Sequence, residues 1–141
     1  MLKGALEDVI KRKGASFRTI NDTEGDTAIC LIFFAPTAER AARIAAALKA
    51  EGAGASVIYG PDRVDYHVYA DWTPVMEQRV WSERGGPWRW HHGEIGYSKD
   101  MCPQSLDLLC RAVHLDISPD MSRYDVEALS EAVIKVLEAL L

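Results

Sequence analysis

Cys102-Pro103-Gln104-Ser105-Leu106-Asp107-Leu108-Leu109-Cys110-Arg111-Ala112-Val113-His114-Leu115-Asp116-Ile117-Ser118-Pro119-Asp120-Met121-Ser122 carries, in twenty-one residues, a helix, a strand, a turn and the start of a second helix. Proline suits the first helical position, where its missing N–H would have had no partner, so a short helix opens at Pro103. Val113, Leu115 and Ile117 then alternate with His114 and Asp116, the two-residue period of a strand with one buried face, which turns His114 outward. Ser118-Pro119-Asp120 has turn chemistry and stops the strand. Ser122 with Asp125 three residues on is a variant of the capping box, and Val126, Leu129, Val133, Val136, Leu137 and Leu140 fall along one side of the helix that follows. A strand feeding directly into an amphipathic helix calls for a sheet with that helix laid across one face.

The residues before this stretch supply the rest of such a sheet. Leu2, Leu6, Val9 and Ile10 recur at helical spacing over residues 2–13, and Gly14 ends that helix. Residues 17–20 form a short strand candidate, residues 21–26 a polar turn, and residues 28–34 a nearly continuous apolar run, which together read as a hairpin. Pro36-Thr37 starts an alanine-rich helix with Thr37 as N-cap and Glu39 in the first turn, where its negative charge suits the helix dipole. Gly52 ends it, and residues 55–59 form another strand, so residues 28–59 make a strand-helix-strand unit. The expected fold is α+β: an antiparallel or mixed sheet of three to five strands, with the helices from Leu2, Thr37 and Ser122 packed on it.

At 141 residues the chain fits one domain with a core that needs no disulfide or metal. A net charge of -5 argues against a general nucleic-acid surface, which needs clustered Lys and Arg; Lys11-Arg12-Lys13 reads as a solvated helix end. Cys30, Cys102 and Cys110 have no C-x-x-C spacing, which suits a reducing compartment. No signal-peptide pattern or membrane-length apolar run is present, so a soluble, unprocessed, cytoplasmic protein that binds neither nucleic acid nor membrane is expected.

Residues 60–102 differ from the rest, being rich in Gly, Pro, Trp, His and Tyr. A helix is expected from Pro74 to about Ser82 with Thr73 as cap, and the remainder as a loop longer than compact domains ordinarily carry without a function. Trp81, Trp88, Trp90 and Tyr97 mark it as a substrate or subunit contact. Adjacent His91 and His92 do not converge on one ion, and no metal-helix spacing joins the histidines to the cysteines, so no metal site is expected. Cys102 at a helix N-terminus has no base or oxyanion site arguable from sequence, and no catalytic residue is assigned. Gly52-Ala53-Gly54 and Gly85-Gly86-Pro87 read as turns.

In order and spacing, Leu2-Lys3-Gly4, Phe17-Arg18-Thr19-Ile20-Asn21-Asp22 with Gly25-Asp26, Phe33-Phe34, Leu48-Lys49-Ala50-Glu51-Gly52, Val57-Ile58-Tyr59, Tyr66-His67-Val68-Tyr69 with Trp72, and above all residues 102–122 resemble one known pattern. It is that of the C-terminal small domain of the DegT/DnrJ/StrS family of pyridoxal-phosphate-dependent sugar aminotransferases. The resemblance implies a parent enzyme that moves an amino group from glutamate or glutamine to a keto-sugar or keto-cyclitol. It further implies a homodimer whose active sites lie at the subunit and domain boundary, so the partners would be a large domain or second subunit. The Schiff-base lysine would lie in that large domain, which leaves this chain catalytically incomplete and without pyridoxal phosphate of its own. Lys99, in Gly-Tyr-Ser-Lys-Asp, then reads as a surface lysine.

Three residues are substrate-binding candidates, two of them on this resemblance. His67 resembles the family's loop histidine near the active-site mouth, with ordinary packing as the alternative. Arg111 stands at a helix–strand junction where the family carries an arginine, free to pair with a carboxylate or to lock the neighbouring loop. Tyr97 belongs to the aromatic loop. A different class of function, a free-standing α+β binding or assembly module of ferredoxin-like shape, stays open. An exposed apolar sheet face distinguishes the incomplete enzyme from the module, which would be polar throughout.

Overall fold

The computed structural model describes residues 2–61 and 63–141. Helix α1 (Leu2–Arg12) ends at Gly14, which takes the left-handed φ of 75° that glycine adopts without a Cβ clash, and Ala15 N–H reaches back to the Ile10 carbonyl at 3.1 Å. Strand β1 (Ser16–Phe17) pairs antiparallel with β2 (Cys30–Phe34), Ser16 opposite Phe34, as the hairpin reading requires. Helix α2 (Ala38–Ala50) starts as its sequence demands: the Arg40 N–H donates to the Thr37 hydroxyl at 3.2 Å. It stops at Gly52, at φ 88°, with Ala53 N–H bonding the Leu48 carbonyl at 3.0 Å.

Strand β3 (Ala55–Val57) follows, and far along the chain helix α5 (Pro103–Arg111) runs straight into strand β4 (Ala112–Asp116). The sheet is four-stranded in the order β1-β2-β4-β3, with every pair antiparallel. Residues 28–59 do form strand, helix, strand, but the two strands are not neighbours, because β4 lies between them. The register Phe33 opposite Val113 and Val113 opposite Val57 places these three on one face.

That face holds the core. Leu6 and Ile10 of α1, Ile44 and Leu48 of α2, and Val133 and Leu137 of helix α6 (Arg123–Leu140) are fully buried against Phe33, Val113 and Leu115. The opposite face carries Cys30, Ile32, Phe34, Ser56 and His114, all half-buried and none in the core cluster. Ser122 caps α6: its hydroxyl accepts from Asp125 N–H at 3.3 Å, and the Asp125 carboxylate accepts from Ser122 N–H at 2.7 Å.

Between β3 and α5 the chain makes a long excursion. It contains a 3-10 turn (Tyr69–Asp71) and two one-turn helices, α3 (Thr73–Met76) and α4 (Pro87–Trp90). Helix α3 is shorter than the residue pattern predicts, and Trp72, not Thr73, occupies the cap position. Gln78 is the reason for the early stop: its backbone is left-handed at φ 52°, while its side-chain amide donates to the Ile95 carbonyl at 2.6 Å. A contact seventeen residues away overrides the local helical pattern. Among the described residues no helix is long and apolar enough to cross a membrane.

Candidate functional site

The excursion is folded onto itself by a few polar bonds. Tyr69 is the junction: its hydroxyl donates to the Lys99 carbonyl at 2.7 Å and accepts from Cys102 N–H at 3.0 Å, closing the base of a loop more than thirty residues long. Trp72 Nε1–H donates to the Tyr66 carbonyl at 2.6 Å, which fixes the turn that carries His67.

Within that turn His67 is held by Asp65. The Asp65 Oδ1 accepts both the His67 backbone N–H at 2.9 Å and the imidazole Nδ1 at 2.8 Å, while Asp65 N–H donates to Asp71 Oδ2 at 2.9 Å. The backbone N–H of His67, and after it the imidazole, keep the Asp65 carboxyl below the usual carboxylate range. An ionised carboxylate at Nδ1 selects the tautomer protonated there, so Nε2 points its lone pair into solvent from a side chain that is 96% exposed. In that tautomer Nε2 accepts a hydrogen bond from whatever docks over the turn. Asp65 escaped the sequence reading, although an Asp two residues before the histidine is the signature of a side-chain-to-backbone turn.

Tyr97 lies half-buried elsewhere in the excursion, its hydroxyl accepting from Trp88 Nε1–H at 3.0 Å with its own proton left to donate. Arg111 is engaged within the fold. Its Nε and NH2 groups donate to Asp107 Oδ2 at 3.0 and 2.9 Å, and NH1 donates to the Ala35 carbonyl at 3.1 Å, riveting the α5–β4 junction to the end of β2. Among the described residues no hydrogen bond or ion pair joins any two of His67, Tyr97 and Arg111, though Tyr69 ties the His67 turn to the segment just beyond Tyr97. His114 faces away from the core, as alternation requires, and its Nδ1 lies 3.4 Å from Asp116 Oδ1. No group of three or more His, Cys, Asp or Glu among the described residues is arranged to hold a metal ion.

The surface of the excursion is unusual. Among the described residues the exposed large apolar side chains other than Ile29, Leu108 and Tyr124 all lie between residues 64 and 101. Trp81 is wholly exposed, and Val64, Tyr66 and Trp90 are each at least two-thirds exposed. Fold and surface together define a small α+β domain with helices on one face of an antiparallel sheet and an aromatic arm beside it. Neither a family model nor a curated protein matches the chain.

Proposed function

We propose that this chain is the small domain of a pyridoxal-phosphate-dependent aminotransferase of the DegT/DnrJ/StrS kind, acting on a keto-sugar or keto-cyclitol. The observation that carries the reading is the arm of residues 64–101, whose bare Trp81, Trp90, Tyr66 and Val64 have the character of a contact surface and not of a solvated loop. A large domain or second subunit laid over that arm would bring the Nε2 of His67 to a substrate hydroxyl or phosphate at the boundary. Arg111 serves this reading by holding the α5–β4 junction rather than by touching substrate.

In this reading the chain's own lysines do not anchor pyridoxal phosphate. None of the six lysines is buried; Lys11 and Lys135 are ion-paired to Glu7 and Glu51, and Lys13 donates to the Glu138 carbonyl. A Schiff-base lysine needs desolvation or a neighbouring charge to be nucleophilic near neutral pH, and none here has the first. The cofactor, which supplies the electron sink for amino transfer, belongs in this reading to the large domain.

The test is to purify the protein with all that its natural reading frame encodes and to add glutamate. Conversion of bound pyridoxal phosphate to the pyridoxamine form is expected, together with a blue tryptophan emission from a covered arm. A full-length protein without a cofactor-binding segment, or one inert to glutamate and glutamine, would leave the free-standing module as the better reading.

A further inference from the structure

A cavity of about 540 Å3 lies where the N-terminal ends of α1 and α6 meet the continuation of β1 and the start of β2. Its size falls within the roughly 300–1,000 Å3 span of small-molecule sites. No residue of the aromatic arm lines it, so it is separate from the surface around His67. Ile20, Ile32, Met121 and Val126 give it apolar walls.

The charges around it are lopsided. Lys3, Arg18 and Arg123 line the cavity against a single acid, Asp26. Arg18 approaches Asp26 to 4.0 Å and Arg123 is ion-paired to Glu127, so the excess positive charge rests with Lys3. Lys3 Nζ stands 5.6 Å from the centroid of the Phe17 ring, and Arg123 meets Glu127 through Nε at 2.8 Å. This local excess runs against a chain whose net charge is -5. The wall also contains Ala28, one of two non-glycine residues with left-handed backbone among the described residues, at φ 53°, its N–H donating to Asp26 Oδ1 at 3.2 Å. Strained backbone of that kind persists where the surroundings over-determine it, and it concentrates at ligand sites.

We propose that this cavity binds an amphipathic monocarboxylate, with an alkyl or aryl body against Ile20, Ile32 and Met121 and its carboxylate among Lys3, Arg18 and Arg123. The apolar body displaces water that the walls cannot hydrogen-bond, and the anionic end meets guanidinium geometry made for carboxylates. A cationic amphiphile of the same shape gains the first contribution and is repelled by the second. That contrast separates a charge-matched site from an indiscriminate greasy surface.

The experiment titrates the full chain with decanoate, and in parallel with decyltrimethylammonium, by calorimetry and by amide chemical-shift mapping. Decanoate is expected to bind saturably, one per chain, with shifts centred on Ile20, Ile32 and Met121, and the cation at least about tenfold more weakly. Arg123→Glu, an exposed position, should weaken decanoate severalfold, and Ile20→Trp should fill the cavity and abolish binding while the far-ultraviolet spectrum stays native. Non-saturating uptake, equal binding of the cation, shifts confined to Trp81 and Trp90, or an Arg123→Glu variant that binds as before would each overturn the site.

Discussion

Gly52 and Ser122 close and open the two longest helices by different means, and each makes a separable prediction. A Cβ at Gly52 would meet nothing within 4 Å, so Gly52→Ala acts only through its left-handed φ of 88°. It should lower stability by about 1 kcal/mol, the cost of placing an L side chain in that region. A urea midpoint equal to wild type would mean that the chain leaves α2 by another route. Ser122→Ala removes the acceptor of the Asp125 N–H and should also cost about 1 kcal/mol. Asp65→Asn tests the candidate site directly. Without an ionised carboxylate at 2.8 Å from Nδ1, the imidazole of His67 should sample both tautomers, visible in its ring nitrogen shifts. Ring shifts that stay put would show that something other than Asp65 orients the histidine.

Helices α1, α2 and α6 were legible in the sequence because their signals are local: caps, a terminating glycine, and apolar residues at helical spacing. The strands were legible in existence but not in extent or neighbourhood. β3 stops at Val57 because its partner β4 begins at Ala112, where the last bond, Ile58 N–H to the Ala112 carbonyl, is already stretched to 3.4 Å. The insertion of β4 between β2 and β3 depends on a pairing more than fifty residues apart, which no local pattern encodes. The same distinction governs the candidate site. His67 and Tyr97 stand out by residue type, whereas the bonds that orient them come from the fold. Acid should act first on elements held by carboxylates. The hydroxyl of Ser122, and after it the Ser122 backbone N–H, hold the Asp125 carboxyl below its ordinary value, and His67 does the same for Asp65. A depressed folded value means that the native state binds fewer protons than the unfolded chain through that range. The stability is therefore fully present above the unfolded carboxylate value and is lost as pH falls through the folded ones. Amide exchange at the start of α6 should quicken below about pH 4; exchange there indifferent to pH, after correction for the intrinsic rate, would count against the capping carboxylate.

Considered as one body, the molecule is a sheet-and-helix core with an arm that leaves after β3 and returns at α5. The two parts are stabilised differently. The core rests on buried Phe33, Leu48, Leu115 and Leu137, so Phe33→Ala should cost about 3–5 kcal/mol and unfold the whole domain at lower denaturant. The arm buries little beyond Val68 and Ala70 and depends on polar bonds at its base, chiefly the two made by the Tyr69 hydroxyl. Tyr69→Phe deletes both while keeping the ring. Closing a loop of this length carries an entropic cost that those bonds offset locally, and the core does not share in it. Amides of residues 73–97 should therefore exchange faster in Tyr69→Phe, while those of β2 and β4 keep their protection and the denaturation midpoint moves little. Uniformly faster exchange would instead mean that arm and core unfold as one cooperative unit, and that the aromatic surface is integral to the domain rather than an arm held out from it.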